Sequence, residues 1–410
     1  MKKGQLDMHI LVLLTLGLTA FGLVMVYSAT SAPAALGGGD PGFYLKRQAI
    51  YALIGVVLLM VVSRMDYRAL RYLAPPLMLT SLGLCLAVLV LGQQVNGARR
   101  WIGVGSLTFQ PSELAKLSLV IWAAAYLARR PAPRTLGELV RPIGITTGLF
   151  CALILAEPDL GTVITVGIVL GAILIVSGAP LRVLAAGGSI AGTLALAAIW
   201  FEPYRRARLF SFLNPWHDAQ GAGYQTVQAI IGIASGGLFG RGLGQGIEKL
   251  NYLPEAHTDM IFATIGEELG LLGASLVIAA YCVFAYTGLR VALRCRDPFG
   301  KRLAAGLTTL VCGQALINLA AVVGLAPLTG ITLPFVSYGG SSLIVSLASV
   351  GVLLNIAGHG GRAKAQMPDR SRRDGRSRAA VGRGRRSARG AGRDGDVRRV
   401  AGSRRGAARS

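Results

Sequence analysis

Residues 252–269 read YLPEAHTDMIFATIGEEL. The stretch is polar up to Asp259 and apolar from Met260, so it marks the point where a long loop enters a membrane helix. His257 and Asp259 sit at that junction. An ionisable group at the edge of a bilayer is costly to dehydrate and therefore marks a candidate site. Glu255 lies four residues before Asp259, with His257 between them. Two acids and a histidine can form a metal site, although the pattern alone is weak, and an isolated Asp at a helix start reads first as an N-cap. Glu267 and Glu268 fall roughly 12–13 Å further along the helix by its rise per residue. Acids at that depth need partners, for which Lys116 and the arginines are candidates.

Outward from this junction, composition sets the class. The 410-residue chain is 53% hydrophobic and only 15% charged, with a mean hydropathy of +0.55. Apolar runs suited to crossing ~30 Å of hydrocarbon, about 20 residues each, recur at 9–29, 45–63, 73–92, 111–129, 142–156, 160–178, 182–201, 260–288, 303–326 and 337–357. The predicted fold class is an all-α integral membrane protein with ten transmembrane helices. The runs 142–156 and 160–178 are short and flank Glu157-Pro158-Asp159, so one strongly bent unit is the alternative there. The first run is too long for a signal-peptide core, lacks a cleavage pattern and reads as a retained helix.

Basic residues in the short connections orient the spans. Arg64, Arg68, Arg71, Arg129, Arg130, Arg134, Arg141, Arg182, Arg290, Arg294, Arg296, Lys301 and Arg302 fall on one side; Lys46, Arg47, Arg99 and Arg100 fall on the other. Both termini are then cytoplasmic, and 202–259 is a large extracytoplasmic loop between helices seven and eight. The domain plan is a short cytoplasmic N-terminus at 1–8, a membrane domain at 9–357 and an Arg-rich tail at 358–410. That tail holds 17 basic and 4 acidic residues, cannot bury a core and is expected to be disordered. It is either an inert solvated segment or one drawn to anionic inner-leaflet lipids; nothing in it reads bases, so nucleic acid is not an expected partner. The five cysteines, an odd number without a CxxC pair, support neither a disulfide framework nor a zinc site.

Four polar constellations fall on the predicted outer side. The first, Asn96 to Ile102 running into Phe109 to Lys116, reads as a loop entering a helix. Pro111 suits the first turn, and Glu113 and Lys116 share a face. An internal Glu113–Lys116 pair leaves Arg99 and Arg100 to hold phosphate, and Trp101 is a ligand contact or an interfacial anchor. The second is the acidic turn Glu157-Pro158-Asp159, where Asp159 can cap the next helix. The third is the large loop, whose Arg205, Arg206 and Arg208 lie among aromatics as in a segment resting on headgroups. Its glycine-rich part, 236–246 with Arg241, lacks the strand–turn–helix context of a nucleotide fingerprint. It is either flexible turns or a set of amides facing pyrophosphate. The fourth is the opening stretch itself. The turn Ser337 to Ser342 starts the last span and provides either close helix packing or a hydroxyl-lined wall of a cavity.

In this order, GARRWI, FQPSELAK, EPDLGT, GLGQG, YLPEAHTD, GEELGLLG and LPFVSYGGSS resemble the SEDS family of bacterial peptidoglycan polymerases over about residues 8–357. The Glu-Ala-His-Thr-Asp wording and the basic tail are most like the family's cell-division branch. The resemblance implies a glycosyltransferase that moves the growing glycan from undecaprenyl pyrophosphate to the 4-hydroxyl of lipid II, inverting the anomeric carbon to form β-1,4 links. Asp259 corresponds to the family's essential acid and is the expected catalytic base. Arg100, Trp101, Glu113, Lys116, Arg241, Glu255, His257 and Ser337 are expected to contact substrate, with Arg100, Lys116 and Arg241 as the cations that steady the leaving group. A divalent cation, Mg or Mn, would help neutralise pyrophosphate, but the chain shows no ligand set that commits to one. Expected partners are lipid II and nascent glycan, a class b penicillin-binding protein against spans eight and nine, and other division proteins, all at the septal cell membrane. A lipid II flippase and a non-enzymatic scaffold are the competing readings. Against a flippase, the polar clusters crowd one face rather than the bilayer middle, and inverted repeats are not evident.

Overall fold

The computed structural model describes residues 3–37, 39–95, 98–104, 107–250 and 252–365. It begins with helices α1 (Lys3–Leu36), α2 (Phe43–Arg64) and α3 (Leu70–Leu91). A small sheet follows: β1 (Gln93–Val95), β2 (Ala98–Val104) and β3 (Leu107–Phe109). Next come α4 (Pro111–Arg129), the single turn α5 (Leu136–Leu139), α6 (Ile145–Ala156), α7 (Leu160–Ser177) and α8 (Leu181–Trp200). The large connection holds α9 (Pro203–Leu213) and α10 (Tyr224–Ser235), and α11 (Ile261–Arg294), α12 (Pro298–Val322) and α13 (Gly340–Ala365) close the order. Among the described residues, nine helices are long and apolar enough to cross a membrane. The expected run 111–129 is the 19-residue α4, whose Glu113 and Lys116 lower its hydropathy. The architecture is that of an all-α membrane protein with one small sheet.

α12 is the centre of the packing, in contact with α4, α7 and α11, and buried along most of its length together with α13. α8 lies at the periphery, where Val183 is its only buried residue. Leu181, Leu194 and Leu196 on α8, and Leu271, Leu272 and Leu276 on α11, are exposed. In a bilayer such side chains face lipid, which has no polar groups to satisfy.

Three expectations are corrected, and one alternative is set aside. The 96–102 loop belongs to an antiparallel meander, with Gln93 opposite Trp101 and Ile102 opposite Phe109; Asn96 and Gly97 themselves lie outside the described residues. The run 260–288 is not one uninterrupted helix, because α11 is broken at Gly270 (φ 65, ψ −165) and residues 261–268 are buried in protein. At the acidic turn the two expected runs are two distinct helices and the bent single unit, the alternative, is not formed, as Asp159 caps α7 through the Thr162 amide at 3.0 Å. Finally, α13 continues to Ala365, past the expected start of the tail at 358. Contacts divide the chain after Arg362; of the C-terminal unit, residues 366–410, which carry most of the expected disordered tail, lie outside the described residues.

Candidate active site

The junction loop 252–260 is held from several sides. Tyr338 donates its amide to the His257 carbonyl at 2.9 Å, and Asn318 of α12 donates to the Asp259 carbonyl at 2.7 Å and to that of Ile331 at 2.8 Å. Within the loop, the amides of Thr258 and Met260 both reach the Glu255 carbonyl, and Glu255 takes a positive φ of 57° to make that turn. The Thr258 hydroxyl lies 2.8 Å from Glu255 Oε2 and 3.3 Å from Asp259 Oδ1, so it bridges the two carboxylates.

Asp259 does not cap α11: the cap position is Met260, with no side-chain cap bond. Its carboxyl, partly accessible but surrounded by protein, is pushed up to about 6, first by desolvation and then by the charge of Glu255. Arg208 opposes this shift. The Arg208 guanidinium is held in turn by the Leu328 carbonyl at 3.1 Å and by the Tyr204 ring, 4.7 Å from its centroid. Sequence alone grouped Arg208 with two other arginines on headgroups. The structure separates them: Arg205 binds the carbonyls of Leu155 and Ala198, and Arg206 lies over Trp200. The i, i+4 spacing of Tyr204 and Arg208 was the available signal, but it does not say which face of α9 turns toward Asp259.

The His257 ring packs against Tyr44 of α2 and against Tyr338, with centroids at 4.7 and 5.6 Å. Burial lowers its pKa, partly countered by Glu255, so the imidazole is neutral at neutral pH. Among the described residues no group of three His, Cys, Asp or Glu side chains is placed to hold a metal ion.

The other candidate side chains occupy neighbouring sites. Arg100, on β2, donates Nε to the Glu157 carbonyl at 2.7 Å and Nη2 to that of Pro158, tying the meander to the acidic turn. Glu157 itself is fully buried and pushed up to about 8, chiefly by desolvation and then by Asp159. Trp101 is partly buried on the same strand. Glu113 and Lys116 are buried in α4 and paired at 2.8 Å, with Lys116 also donating to Gln314 of α12 at 2.9 Å. Gln314 continues to Ser342 at 3.1 Å, one turn before Asn318. Ser337 accepts the Leu333 amide at 2.8 Å. Gln110 joins the blocks by donating its amide to Ser341 and its side chain to Asp159.

Two expectations about the loop change. Lys116 is not the partner of the buried acids on α11: Glu268 pairs with Lys249 at 2.7 Å, and Glu267 lies 3.8 Å from Arg241. The amides of Gly244 and Ile247 point to the carboxylates of Glu268 and Glu267, at 3.1 and 2.7 Å. The glycine-rich segment therefore grips α11 instead of presenting these amides to a phosphate.

A bundle of apolar helices with a partly buried acid at a loop–helix junction, one that does not cap the helix, defines a polytopic membrane protein with a candidate site at that junction. The family model for cell cycle proteins FtsW, RodA and SpoVE matches residues 8–361, and the chain belongs to that family. It is 40% identical over 351 residues to a probable peptidoglycan glycosyltransferase FtsW of Geobacter sulfurreducens, covering 85% of this chain and 94% of the relative. It is also 40% identical to the stage V sporulation protein E of Bacillus subtilis, over 87% of this chain and 98% of that one. Among solved structures it resembles a chain from "Structural coordination of polymerization and crosslinking by a peptidoglycan synthase complex" at a TM-score of 0.72 and 32% identity, covering 85% of this chain and 97% of the other.

Proposed function

We propose that this chain is a peptidoglycan glycosyltransferase of the cell membrane, with Asp259 as its general base. The observation that carries the reading is the placement of Asp259: no helix amide occupies its carboxyl, and burial beside Glu255 pushes that carboxyl up to about 6. A base works best when its pKa lies close to the operating pH. The acceptor's 4-hydroxyl gives its proton to Asp259 as its oxygen bonds to the donor's anomeric carbon. The bond from that carbon to the pyrophosphate oxygen breaks, and undecaprenyl pyrophosphate leaves with the electron pair. Inversion and a β-1,4 link follow from direct attack.

The departing charge needs fixed donors. Arg208 is the cation acting on Asp259 and is our first candidate for that role. Arg100 and Arg241 stand behind it, each also engaged with the protein. Lys116 holds its own pair, so its part is to shape the wall with Glu113 and Gln314. His257, Glu255, Trp101 and Ser337 border or support the sugar site. Among the described residues no third His, Cys, Asp or Glu joins Glu255 and Asp259, so these two carboxylates would hold a divalent cation only together with the substrate's phosphate oxygens and water.

This end of the bundle faces outward in the proposed orientation, and the enzyme serves septal synthesis beside other division proteins. The relatives' names and the coupling of polymerization with crosslinking in a related complex support the reading. A class b penicillin-binding protein would then dock against the exposed apolar face of α11, at Leu271, Leu272 and Leu276, whereas α12, expected to share this face, is buried along most of its length and adds only Leu316. Purified protein supplied with lipid II and this partner is expected to make glycan strands, and Asp259→Asn is expected to abolish them while expression persists. Lipid II translocation without any polymer would overturn the proposal in favour of a transporter.

A further inference from the structure

Glu268 is fully buried at the end of the first segment of α11, where its charge meets the negative end of that segment's dipole. Its carboxylate collects three contacts from separate parts of the chain. Lys249 Nζ lies 2.7 Å from Oε1, Ser28 Oγ of α1 lies 2.8 and 2.7 Å from the two oxygens, and the Gly244 amide donates to Oε2 at 3.1 Å. Lys249 also reaches Ser28 at 3.2 Å, and its side chain is 1% exposed. The ion pair joins residues 19 positions apart, and the chain between them is the junction loop followed by the first segment of α11. Lys249, the loop, that segment and Glu268 therefore form a closed ring, with Asp259 on it. Closing such a ring removes much of the freedom of the residues it contains.

We infer that the Lys249–Glu268 pair, seated on Ser28, is the clasp of the catalytic loop and positions Asp259 for proton abstraction. Neither residue touches substrate; both act through the ring. The inference rests on the reading of Asp259 as the base, but its main test does not need polymerisation.

The test uses the full-length chain in detergent or nanodiscs. Removing one charge would strand the other in the interior, whereas replacing both with apolar residues of similar volume leaves no orphaned charge, only the Ser28 hydroxyl and the Gly244 amide without their acceptor, so Lys249→Met/Glu268→Leu is the principal variant. Amide hydrogen exchange of peptides spanning 252–260 is expected to speed up at least tenfold. With lipid II, kcat is expected to fall at least tenfold with KM within threefold of the parent, and the acid limb of the pH profile to move down as Asp259 becomes better solvated. Lys249→Arg, which keeps charge and reach, is expected to restore kcat to within threefold of the parent. Ser28→Ala keeps both charges and is the second arm, with exchange expected to rise at least threefold. Exchange within twofold of the parent in the Ser28→Ala arm, or in a folded double variant, overturns the inference. A parent that makes no glycan would count against the glycosyltransferase reading while leaving the exchange result to decide this one.

Discussion

Two aspartates that look alike in the sequence do different work. Asp159 and Asp259 each end a loop before an apolar run, yet only Asp159 gives its oxygens to the next helix, at Thr162. Asp259 keeps its carboxyl off the helix amides and pays for burial with a raised pKa. Asp259→Asn is accordingly expected to cut kcat at least 100-fold, the scale of a lost general base. The folded-state pKa lies above the ordinary carboxylate value, so ionisation costs stability fully above pH ~6, and that cost disappears below the ordinary value. The same variant should therefore stabilise the protein at pH 7, by on the order of 1–2 kcal/mol, as read from thermal unfolding. Activity of the parent should rise with pH through about 6 as Asp259 ionises. Glu255→Gln, which removes a like charge, should move this limb down, and Arg208→Gln, which removes the opposing cation, should move it up. An unmoved limb in both variants would separate the profile from Asp259.

Among the elements, the broken α11 shows why the glycines are where they are. A break in a membrane helix frees backbone groups that lipid cannot satisfy. Here the preceding segment supplies the missing partners: the Arg241 and Gly242 amides bond the Glu267 and Glu268 carbonyls, and the Leu271 and Leu272 amides bond those of Gly237 and Leu238. Gly270 has a φ of 65°, and a side chain there would meet the Gly240 amide nitrogen at 2.4 Å. Gly270→Ala is expected to destabilise by roughly 1–3 kcal/mol or more, lowering the unfolding midpoint. Gly237 also has positive φ but open space around it, so Gly237→Asn should cost well under that. The starts of α4 and α7 were readable from Pro111 and Asp159, because caps act within one turn. The break was not, since one glycine among apolar residues is also compatible with a continuous helix. The Asn96-Gly97 pair is a hairpin signal in the sequence, but beside long apolar spans two residues of this kind are equally compatible with a plain connecting loop.

For the whole molecule, sequence blocks far apart become neighbours: Arg100 with Glu157, Gln110 with Ser341, Gly244 with Glu268, and His257 with Tyr338. The buried Glu113–Lys116 pair joins α4 to α12 through Gln314. Lys116→Met alone leaves Glu113 uncompensated and should cost about 3–5 kcal/mol, whereas Glu113→Leu/Lys116→Met should come close to the parent, as measured by thermal unfolding of the two variants side by side. A peptide of residues 366–410 should bind vesicles containing anionic lipid and leave them at high salt, since such attraction is screened.

Much was determined by the chain's order of residues alone: membrane class, the approximate helical runs, the family's blocks and the acid at the loop's end. These follow from hydrophobic length and local spacing, which act over a few neighbouring residues. Tertiary structure decided which charges meet. Lys249 rather than Lys116 finds Glu268, Arg208 rather than its neighbours acts on Asp259, and a glycine-rich segment mends a broken helix instead of cradling phosphate. Such pairings depend on how helices pack and rotate against one another, and no local rule along the chain carries that information.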